Sequence, residues 1–471
     1  MTEPMTAKDK KTGDKANPIV DLARWVRSFD KQAIAPAALR QAKLLTLDTI
    51  GCGLAGRDEQ VSKAVLRTMD ITASGPCSII GSKGKTTAIN AVLANGTLVR
   101  VLDLNDYVIG GLAGGMQIGG HPSDNIPVAL AYGELMKRSG RDVLSAIVIG
   151  YEIYGRMRDI LVRDESWDGV TISGLAAPAM AGFLMGLDEK RLSHAIALST
   201  ARAPTSATMR SGDISGGKSV ANALVAQSGV VAASLAEQGV TGPLGILDAK
   251  RGLIEVFTNT ERLVDLGAPL AERCYIMMAN VKAYPCLATG QSVVAAAIEL
   301  HKTARHELER AQRIDVIMAD YKFLRRQQED LHRRYPESRE AADHSFNFLA
   351  AVTLLDGKFG LAQFDGERWI DPEVKALMEK MVMVADVGWN ARAPGSYPCA
   401  LRLIDQAGRE HLAEVAYPPG FSRDGIDEDA VVEKFHNSAG AALDKAGRDK
   451  VVAAVMALDK GGSLTEVFAA I

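Results

Sequence analysis

Two stretches without charged residues limit the possible folds of this chain more than any other feature. One is residues 169–187, and the other, residues 219–235, reads SVANALVAQSGVVAASL. A helix that is apolar on every side lies inside a helical bundle or a membrane. The first stretch contains four glycines and Pro178, and too few Leu, Ile and Phe residues for membrane insertion. The sequence therefore predicts buried helices in a protein outside the membrane.

Composition supports closely packed helices. Of the 471 residues, 44 are glycine, and aromatic residues make up only 5%. The 54 Lys and Arg residues nearly balance the 57 Asp and Glu residues, which leaves a net charge of −3. A nucleic-acid-binding surface brings an excess of basic residues, so we expect no nucleic-acid partner.

The cysteines have neither the spacing of a disulfide framework nor that of a zinc site. Free thiols are typical of a reducing compartment, and the polar N-terminus has no apolar segment like that of a secretion signal. We therefore expect a cytoplasmic protein that begins with a disordered tail, residues 1–17. The five cysteines are Cys52, Cys77, Cys274, Cys286 and Cys399.

The pattern of apolar residues changes once along the chain. From residue 19 to about residue 260, apolar residues recur every three to four positions, as in amphipathic helices. After about residue 271, alternating or β-branched segments predict strands, and a short polar connection with a glycine predicts a hairpin. The predicted strands are residues 313–321, 380–389, 399–405 and 410–417, with helices at 291–303, at 344–355 and from 427 to the end.

These patterns predict a mainly α protein, in which a large all-helical domain carries a smaller inserted α+β domain. We expect the helical domain to begin with residues 18–270. The α+β domain is expected at residues 271–420, and residues 421–471 return to the helical domain.

The segment 102–125, LDLNDYVIGGLAGGMQIGGHPSDN, has the most unusual local composition. Asp103 and Asp106 stand three residues apart, and a run with six glycines leads to His121. Glycine at this density lets the backbone approach a ligand closely, and a histidine beside carboxylates transfers protons near neutral pH. A surface loop with capping side chains is the alternative interpretation. The glycine spacing fits neither a P-loop nor a dinucleotide fingerprint.

A second segment, residues 209–219, reads MRSGDISGGKS and contains Arg210 and Lys218. It leads into the second charge-free stretch, so Lys218 is expected near a helix N-terminus. The helix dipole disfavours a cation there unless an anion binds beside it. The alternative is a solvated lysine on an ordinary loop.

Two further segments carry candidate site residues. Lys282 and Tyr284 precede Pro285 at the expected domain junction, where ligand sites are common. His344 stands at the start of an apolar helix. A linker turn explains the first segment without function, and a helix cap explains the second.

Together these segments resemble the MmgE/PrpD family. The resemblance implies a helical domain with a smaller α+β lid domain, a homodimer, small polycarboxylate substrates, and no metal or organic cofactor. The matching motifs are LDTIGCGLAG at residues 47–56, NGTLVRVLDLNDY at 95–107, GGHPSDNIPVALA at 119–131, VIGYEIYGRM at 148–157, AQSGVVAASLAEQGVTGP at 226–243, KAYPC at 282–286 and DHSFNFLAAVTLLDG at 343–357.

The resemblance also implies roles for individual residues. Asp103, His121, Lys218 and Lys282 are expected to be catalytic. The residues expected to bind substrate are Asn105, Tyr107, Ser123, Trp167, Arg210, Tyr284, Gln291 and His344.

Several positions depart from the family pattern. Trp167, Asp168 and Gly169 stand where relatives have His-Pro-Thr. At four other positions where the family pattern has histidine, this chain has Ala221, Leu287, Thr289 and Gln291. Phe348 stands where the family pattern has a tyrosine. The departures leave the substrate unassigned.

We therefore expect a cofactor-independent lyase of the dehydratase type. Lys218, Lys282 and Arg210 would bind a carboxylate, because cations stabilise the charge that builds on its oxygens when a neighbouring proton leaves. His121, oriented by Asp103, would exchange that proton. The same groups also serve decarboxylation. An isomerase or epimerase, and a catalytically degenerate carboxylate-binding protein, are the alternatives.

Overall fold

The computed structural model describes residues 17–70, 74–109, 120–161, 166–257, 265–271, 274–392, 396–421 and 425–471. The predicted tail lies outside these ranges except for Asn17. The Asn17 side chain accepts hydrogen bonds from the Ile19 and Val20 amides and so caps the first helix. Residues 110–119, most of the predicted glycine-rich run, also lie outside the described ranges.

The first part of the described chain is mainly helical, as its apolar periodicity predicts. Two short antiparallel strands, β1 (Cys77–Ser78) and β2 (Lys85–Thr86), pair within it. The helices are α1 (Pro18–Arg27), α2 (Pro36–Ala55), α3 (Gln60–Asp70), α4 (Ala88–Arg100), α5 (Ile126–Leu135), α6 (Gly140–Ile160), α7 (Ser173–Met185), α8 (Glu189–Thr200), α9 (Gly217–Glu237) and α10 (Leu253–Phe257).

Helix α9, which contains the second charge-free stretch, lies at the centre of this part. It packs against α4, α7 and α8. Small residues allow the close approach, since a Cβ atom at Gly229 would lie only 2.9 Å from Pro178 Cδ on α7. Among the described residues, α9 is the one helix long and apolar enough to cross a membrane. More than half of its most apolar 18-residue segment is buried inside the protein.

The α+β part of the fold runs from β4 to β8. Its sheet has the order β6-β5-β7-β8, with β5 parallel to β6 and antiparallel to β7, and β7 and β8 form the predicted hairpin. The elements are β4 (Ala279–Asn280), α11 (Gln291–Ala304), β5 (Ala311–Ala319), α12 (Lys322–Glu329), α13 (Leu331–Arg334), α14 (Arg339–Ala342), α15 (Phe346–Asp356), α16 (Pro372–Met378), β6 (Met381–Asp386), β7 (Cys399–Asp405) and β8 (Glu410–Val415).

The strand predicted at residues 380–389 ends earlier, at Asp386. The Asp386 side chain accepts a hydrogen bond from the Gly388 amide, at 2.8 Å, and this contact starts a 3₁₀ turn. Aspartate competes with strand pairing in this way because its short side chain reaches nearby backbone amides.

The last helices are α17 (Glu428–Ser438), α18 (Lys445–Met456) and α19 (Leu464–Ala469). They pack against the helical part, with α17 and α18 on α2 and α19 on α5. The fold is thus mainly α with a smaller α+β part, as predicted.

One short strand pair positions the site. β3 (Tyr107–Val108) follows α4 and pairs with β4, so that Tyr107 lies opposite Asn280. The pairing brings the segment after α4 beside the segment after β4. Asp103 and Lys282, 179 residues apart in sequence, are thereby in direct contact.

We predict that Gly229→Ala destabilises the protein, although alanine is the better helix former. The added methyl group would press on Pro178 and Ala177 of α7, and overpacking of a core costs about 1 to 3 kcal/mol. Urea denaturation measures the change in the free energy of unfolding. Ser228→Ala, on a partly exposed position of the same helix, is the control; equal stability of both variants and the native protein would contradict close packing here.

Candidate active site

A cleft of about 170 Å³ lies between the helical part and the α+β part. From the helical side it is lined by residues that include Arg100, Asp103 and His121, and from the α+β side by Arg326, Arg333 and His344. A cleft of this volume is large enough for a small molecule.

Asp103 is the centre of the charged groups beneath the cleft. Its Oδ1 lies 2.6 Å from Arg100 Nη1 and contacts Lys282 Nζ, while its Oδ2 lies 3.1 Å from Lys218 Nζ. All four side chains are at most 1% exposed. Burial alone would raise the pKa of Asp103, but the three cations outweigh it and hold this pKa well below its ordinary value of 3.8. Asp103 is therefore a permanent carboxylate.

The backbone of Asp103 is also unusual, with a φ of 49°. A non-glycine residue in this left-handed region is uncommon and costs free energy unless its surroundings hold it. Here the carbonyl oxygen of Asp103 accepts a hydrogen bond from Lys282 Nζ at 2.8 Å, so that one lysine holds both the backbone and the carboxylate.

The two predicted catalytic lysines lie beneath the cleft rather than in its wall. Lys218 Nζ donates to Asp343 Oδ1 at 2.9 Å in addition to its contact with Asp103. Lys282 Nζ is held by the backbone and side chain of Asp103, and burial lowers the pKa of Lys282 although Asp103 opposes the shift. Both ammonium groups thus have protein carboxylates as partners.

His121 lies at the cleft wall with 16% of its side chain exposed. Its Nδ1 is 2.5 Å from the carbonyl oxygen of Asp106, which can only accept, so the proton of a neutral ring sits on Nδ1. His121 Nε2 then carries the free electron pair, 3.9 Å from Asp103 Oδ1. The ring is thus oriented by the backbone of Asp106, whereas the sequence suggested Asp103.

Burial, together with the cations of Arg100 and Lys282, lowers the pKa of His121 well below its ordinary value of 6.5. The ring is consequently neutral at neutral pH. A neutral imidazole with a free Nε2 is a proton acceptor, which is the form that a general base requires.

A second histidine faces the same carboxylate. His344 Nδ1 contacts Asp343 Oδ1, and His344 Nε2 lies 3.6 Å from Asp103 Oδ2. Burial and the Lys218 ammonium lower the pKa of His344 to about 4. The Asp343 carboxylate orients this ring, and Ser345, the next residue, caps α15 through the Phe348 amide at 3.1 Å.

Asn105 and Ser123, both predicted to bind substrate, are buried behind the cleft wall. Asn105 Nδ2 donates to Ser123 Oγ and to Asp124 Oδ1, each at 2.8 Å. Burial raises the pKa of Asp124 to about 6. These contacts fix the turn on which His121 lies.

Arg210 lines the cleft and is paired with Asp168, with 2.6 Å between Arg210 Nε and Asp168 Oδ2. The neighbouring Trp167 stacks on Phe257, with 4.3 Å between the ring centroids. Trp167 therefore supports the segment that carries Asp168, while Asp168 itself lines the cleft.

Three residues predicted to bind substrate make structural contacts with protein groups in the described structure. Gln291 Oε1 accepts from the amides of residues 283 and 284, and Gln291 Nε2 donates to the carbonyl of Tyr284 at 2.8 Å. Tyr284 packs edge-on against Phe359, and Tyr107 lies in the core of the α+β part. These contacts shape the loop after Lys282.

Sequence reasoning missed Arg326 and Arg333, which line the cleft from α12 and α13. They belong to a polar run, KFLRRQQEDLHRR, that is typical of a solvated helix face. It also missed the contacts of Asp343 with Lys218 and His344.

A larger cavity of about 1000 Å³ lies on the far side of Lys282, between α2, α17 and loops of the α+β part. Lys282 and Lys434 are in its wall, but no histidine lines it. Lys434 Nζ donates a hydrogen bond to the carbonyl oxygen of Leu104, at 2.8 Å. Proton-transfer groups meet in the smaller cleft, so we assign the chemistry there.

Among the described residues, Asp103, Asp343 and His344 stand close enough to share a metal ion. The Lys218 ammonium already lies among them, 3.1 Å from Asp103 Oδ2 and 3.2 Å from His344 Nδ1. A lysine cation thus occupies the place that a metal ion would take.

The chain matches the models of the MmgE/PrpD N-terminal domain over residues 20–264 and the MmgE/PrpD C-terminal domain over residues 284–459. Together these matches cover most of the chain, and the protein belongs to the MmgE/PrpD family.

Its relatives are lyases. The cis-aconitate decarboxylase-like protein oryM of Aspergillus oryzae is 24% identical, over 97% of this chain and 97% of its own length. The cis-aconitate decarboxylase of Mus musculus is 27% identical over 76% of this chain and 74% of its own. The 2-methylcitrate dehydratase of Salmonella typhimurium is 26% identical over 88% and 89%. These relatives agree with the prediction that the chain is an enzyme.

We predict that Asp103→Asn lowers the free energy of unfolding by about 3 to 5 kcal/mol, because it leaves buried cations without their carboxylate. Urea denaturation at pH 7 measures the loss. Asp58→Asn is the matched control. The Asp58 side chain is 95% exposed, and its ion pair with Lys63 Nζ, at 3.7 Å, is a weak surface contact. Equal stability of the two variants would refute the central position of Asp103.

Proposed function

We propose that this protein is a cofactor-independent lyase of the dehydratase type, which removes a proton next to a carboxylate of a small polycarboxylate. The observation that carries the proposal is His121, a neutral histidine whose unprotonated Nε2 lies in a cleft lined by cations. The dehydratases and decarboxylases among the relatives support the reaction class.

His121 Nε2 would take the proton from the carbon beside the carboxylate. The negative charge that then builds on the carboxylate oxygens is stabilised by the cations of the cleft, Arg100 and Arg210. The imidazolium that forms is stabilised in turn by Asp103, 3.9 Å from its Nε2. The imidazolium then gives its proton to the β-hydroxyl, which departs as water and completes dehydration. In the decarboxylation alternative no carbon proton is removed: CO₂ leaves, and a protonated His121 donates a proton to the carbon that carried it.

An isomerase or epimerase is the second candidate, and His344 is the observation that favours it. His121 Nε2 and His344 Nε2 each lie near a different oxygen of the Asp103 carboxylate. In a two-base exchange, the neutral imidazole of His121 would remove a proton on one side of a carbon, and His344 would have to be in its imidazolium form to donate a proton on the other. The third candidate, a carboxylate-binding protein without turnover, predicts binding without proton exchange.

The proposal extends to assembly and location. The homodimer implied by the family resemblance is supported by the exposed apolar side chains Leu224 and Leu235 of α9. A cytoplasmic location is supported by five free, buried cysteines. The domain limits at residues 270 and 420 stay predictions.

We predict that His121→Gln strongly slows turnover and deuterium incorporation. The experiment is proton NMR in D₂O with a panel of hydroxy-, amino- and unsaturated polycarboxylates, whose products distinguish dehydration, epimerisation and decarboxylation. Loss of the general base should slow the reaction by about 10² to 10⁴. His306→Gln, with a side chain 73% exposed outside the cleft, is the control. Full turnover by folded His121→Gln protein would remove His121 from the mechanism, and binding without exchange by native protein would favour the binding protein.

The pH dependence gives a separate test. Because burial and nearby cations lower the pKa of His121 below 6.5, the ring loses its basic form only at acid pH. We expect kcat/KM for the exchanged acid to stay constant from pH 8 down to pH 6.5 and to fall only at more acid pH, where His121 gains a proton. An acid limb with its midpoint above 6.5 would contradict a neutral, buried His121 as base.

A further inference from the structure

Two arginines of the α+β part line the cleft. The carboxylates of the opposite wall, Asp103, Asp124 and Asp168, are within ion-pair distance of Arg100 or Arg210. Arg326 on α12 is exposed, and its side chain has no hydrogen bond or ion pair with any residue the structure describes. Arg333 on α13 is only 5% exposed. Both line the wall that faces His121.

Arg333 is held by backbone oxygens. Its Nη1 donates to the carbonyl of His344 at 3.1 Å, and its Nη2 donates to the carbonyl of Arg210 at 3.2 Å. Its Nε is buried without a hydrogen-bond partner in the described structure, since Asp330 Oδ2 lies 3.7 Å away. Carbonyl oxygens satisfy the Nη N–H groups but carry no full charge, and Asp330, at 3.7 Å, is the one carboxylate within ion-pair distance of Arg333 in the described structure. A buried cation with a single partner at this distance is only weakly compensated.

The other acids near this wall already have partners. Asp168 is paired with Arg210 at 2.6 Å, and Asp343 is paired with Lys218 at 2.9 Å. Burial, and after it the neighbouring Arg326 cation, lower the pKa of Arg333 to about 10, although Asp330 and Asp343 oppose the shift. An added anion would relieve both the burial cost and the repulsion.

We propose that Arg326 and Arg333 form a subsite for a second carboxylate of the substrate, remote from the carbon that loses its proton. The inference rests on the proposed function, in which His121 acts on the opposite wall. It defines the substrate as an acid with at least two carboxylates, short enough for the cleft of about 170 Å³.

The two arginines have complementary properties for this task. Guanidinium groups bind carboxylates with two parallel hydrogen bonds, so the recognition is specific for geometry as well as charge. The buried Arg333 is fixed by its two carbonyl contacts, whereas the exposed Arg326 is free to turn toward a ligand. Arg326 is therefore a specificity residue that can be changed without disturbing the buried charges.

The test compares malonate, succinate and glutarate, each with its half-amide, by titration calorimetry at constant ionic strength. In the native protein at least one dicarboxylate should bind about tenfold more tightly than its half-amide, which is the effect of one charge-assisted contact. Arg326→Gln should reduce this ratio toward one. Arg325→Gln should retain it, because Arg325 is a neighbouring exposed arginine that pairs with Asp320 at 3.0 Å.

Two results would overturn the subsite: no dicarboxylate preferred over its half-amide by the native protein, or an unchanged preference in Arg326→Gln. These outcomes are separate from the fate of the proposed function. Deuterium exchange that depends on His121, with an unchanged preference in Arg326→Gln, keeps the function and removes the subsite. A preference that depends on Arg326, without exchange of any acid, keeps the subsite and removes the function.

Discussion

The carboxylate of Asp103, buried among Arg100, Lys218 and Lys282, is the interaction on which the site depends. Each partner comes from a different segment: the end of α4, the start of α9 and the loop after β4. One negative charge therefore joins the helical part to the α+β part. Burial and the positive charges gathered around Asp103 in turn lower the pKa values of His121 and His344.

Local patterns predicted the architecture well, because the apolar periodicity of helices and strands depends on residues that are close in sequence. The charge-free residues 219–235 lie in the central helix α9, and the polar connection after residue 405 joins two strands of a hairpin. A local pattern failed where a single side chain decided the outcome, as at Asp386, which ends β6 by binding a backbone amide.

The site was less accessible to sequence reasoning. Motifs identified Asp103, His121, Lys218 and His344, but the contacts among them join residues as distant in sequence as Asp103 and His344. Tyr107, Tyr284 and Gln291 belong to the same motifs, yet they serve packing and loop structure. Arg326 and Arg333 had no signal of their own, since an arginine in a polar helix has the same sequence pattern whether it faces solvent or a cleft.

The hydrogen bond from His121 Nδ1 to a backbone carbonyl has a consequence for how this enzyme can diverge. Because no neighbouring side chain sets the tautomer of the ring, substitutions around the cleft leave the proton-accepting atom in place. Rim residues such as Arg326 and Thr289 are then free to vary with the substrate, while the inner charges are mutually locked and resist single changes. In such a site the proton-transfer step can be kept while the residues that select the substrate change. This arrangement suits a family whose members perform several reactions.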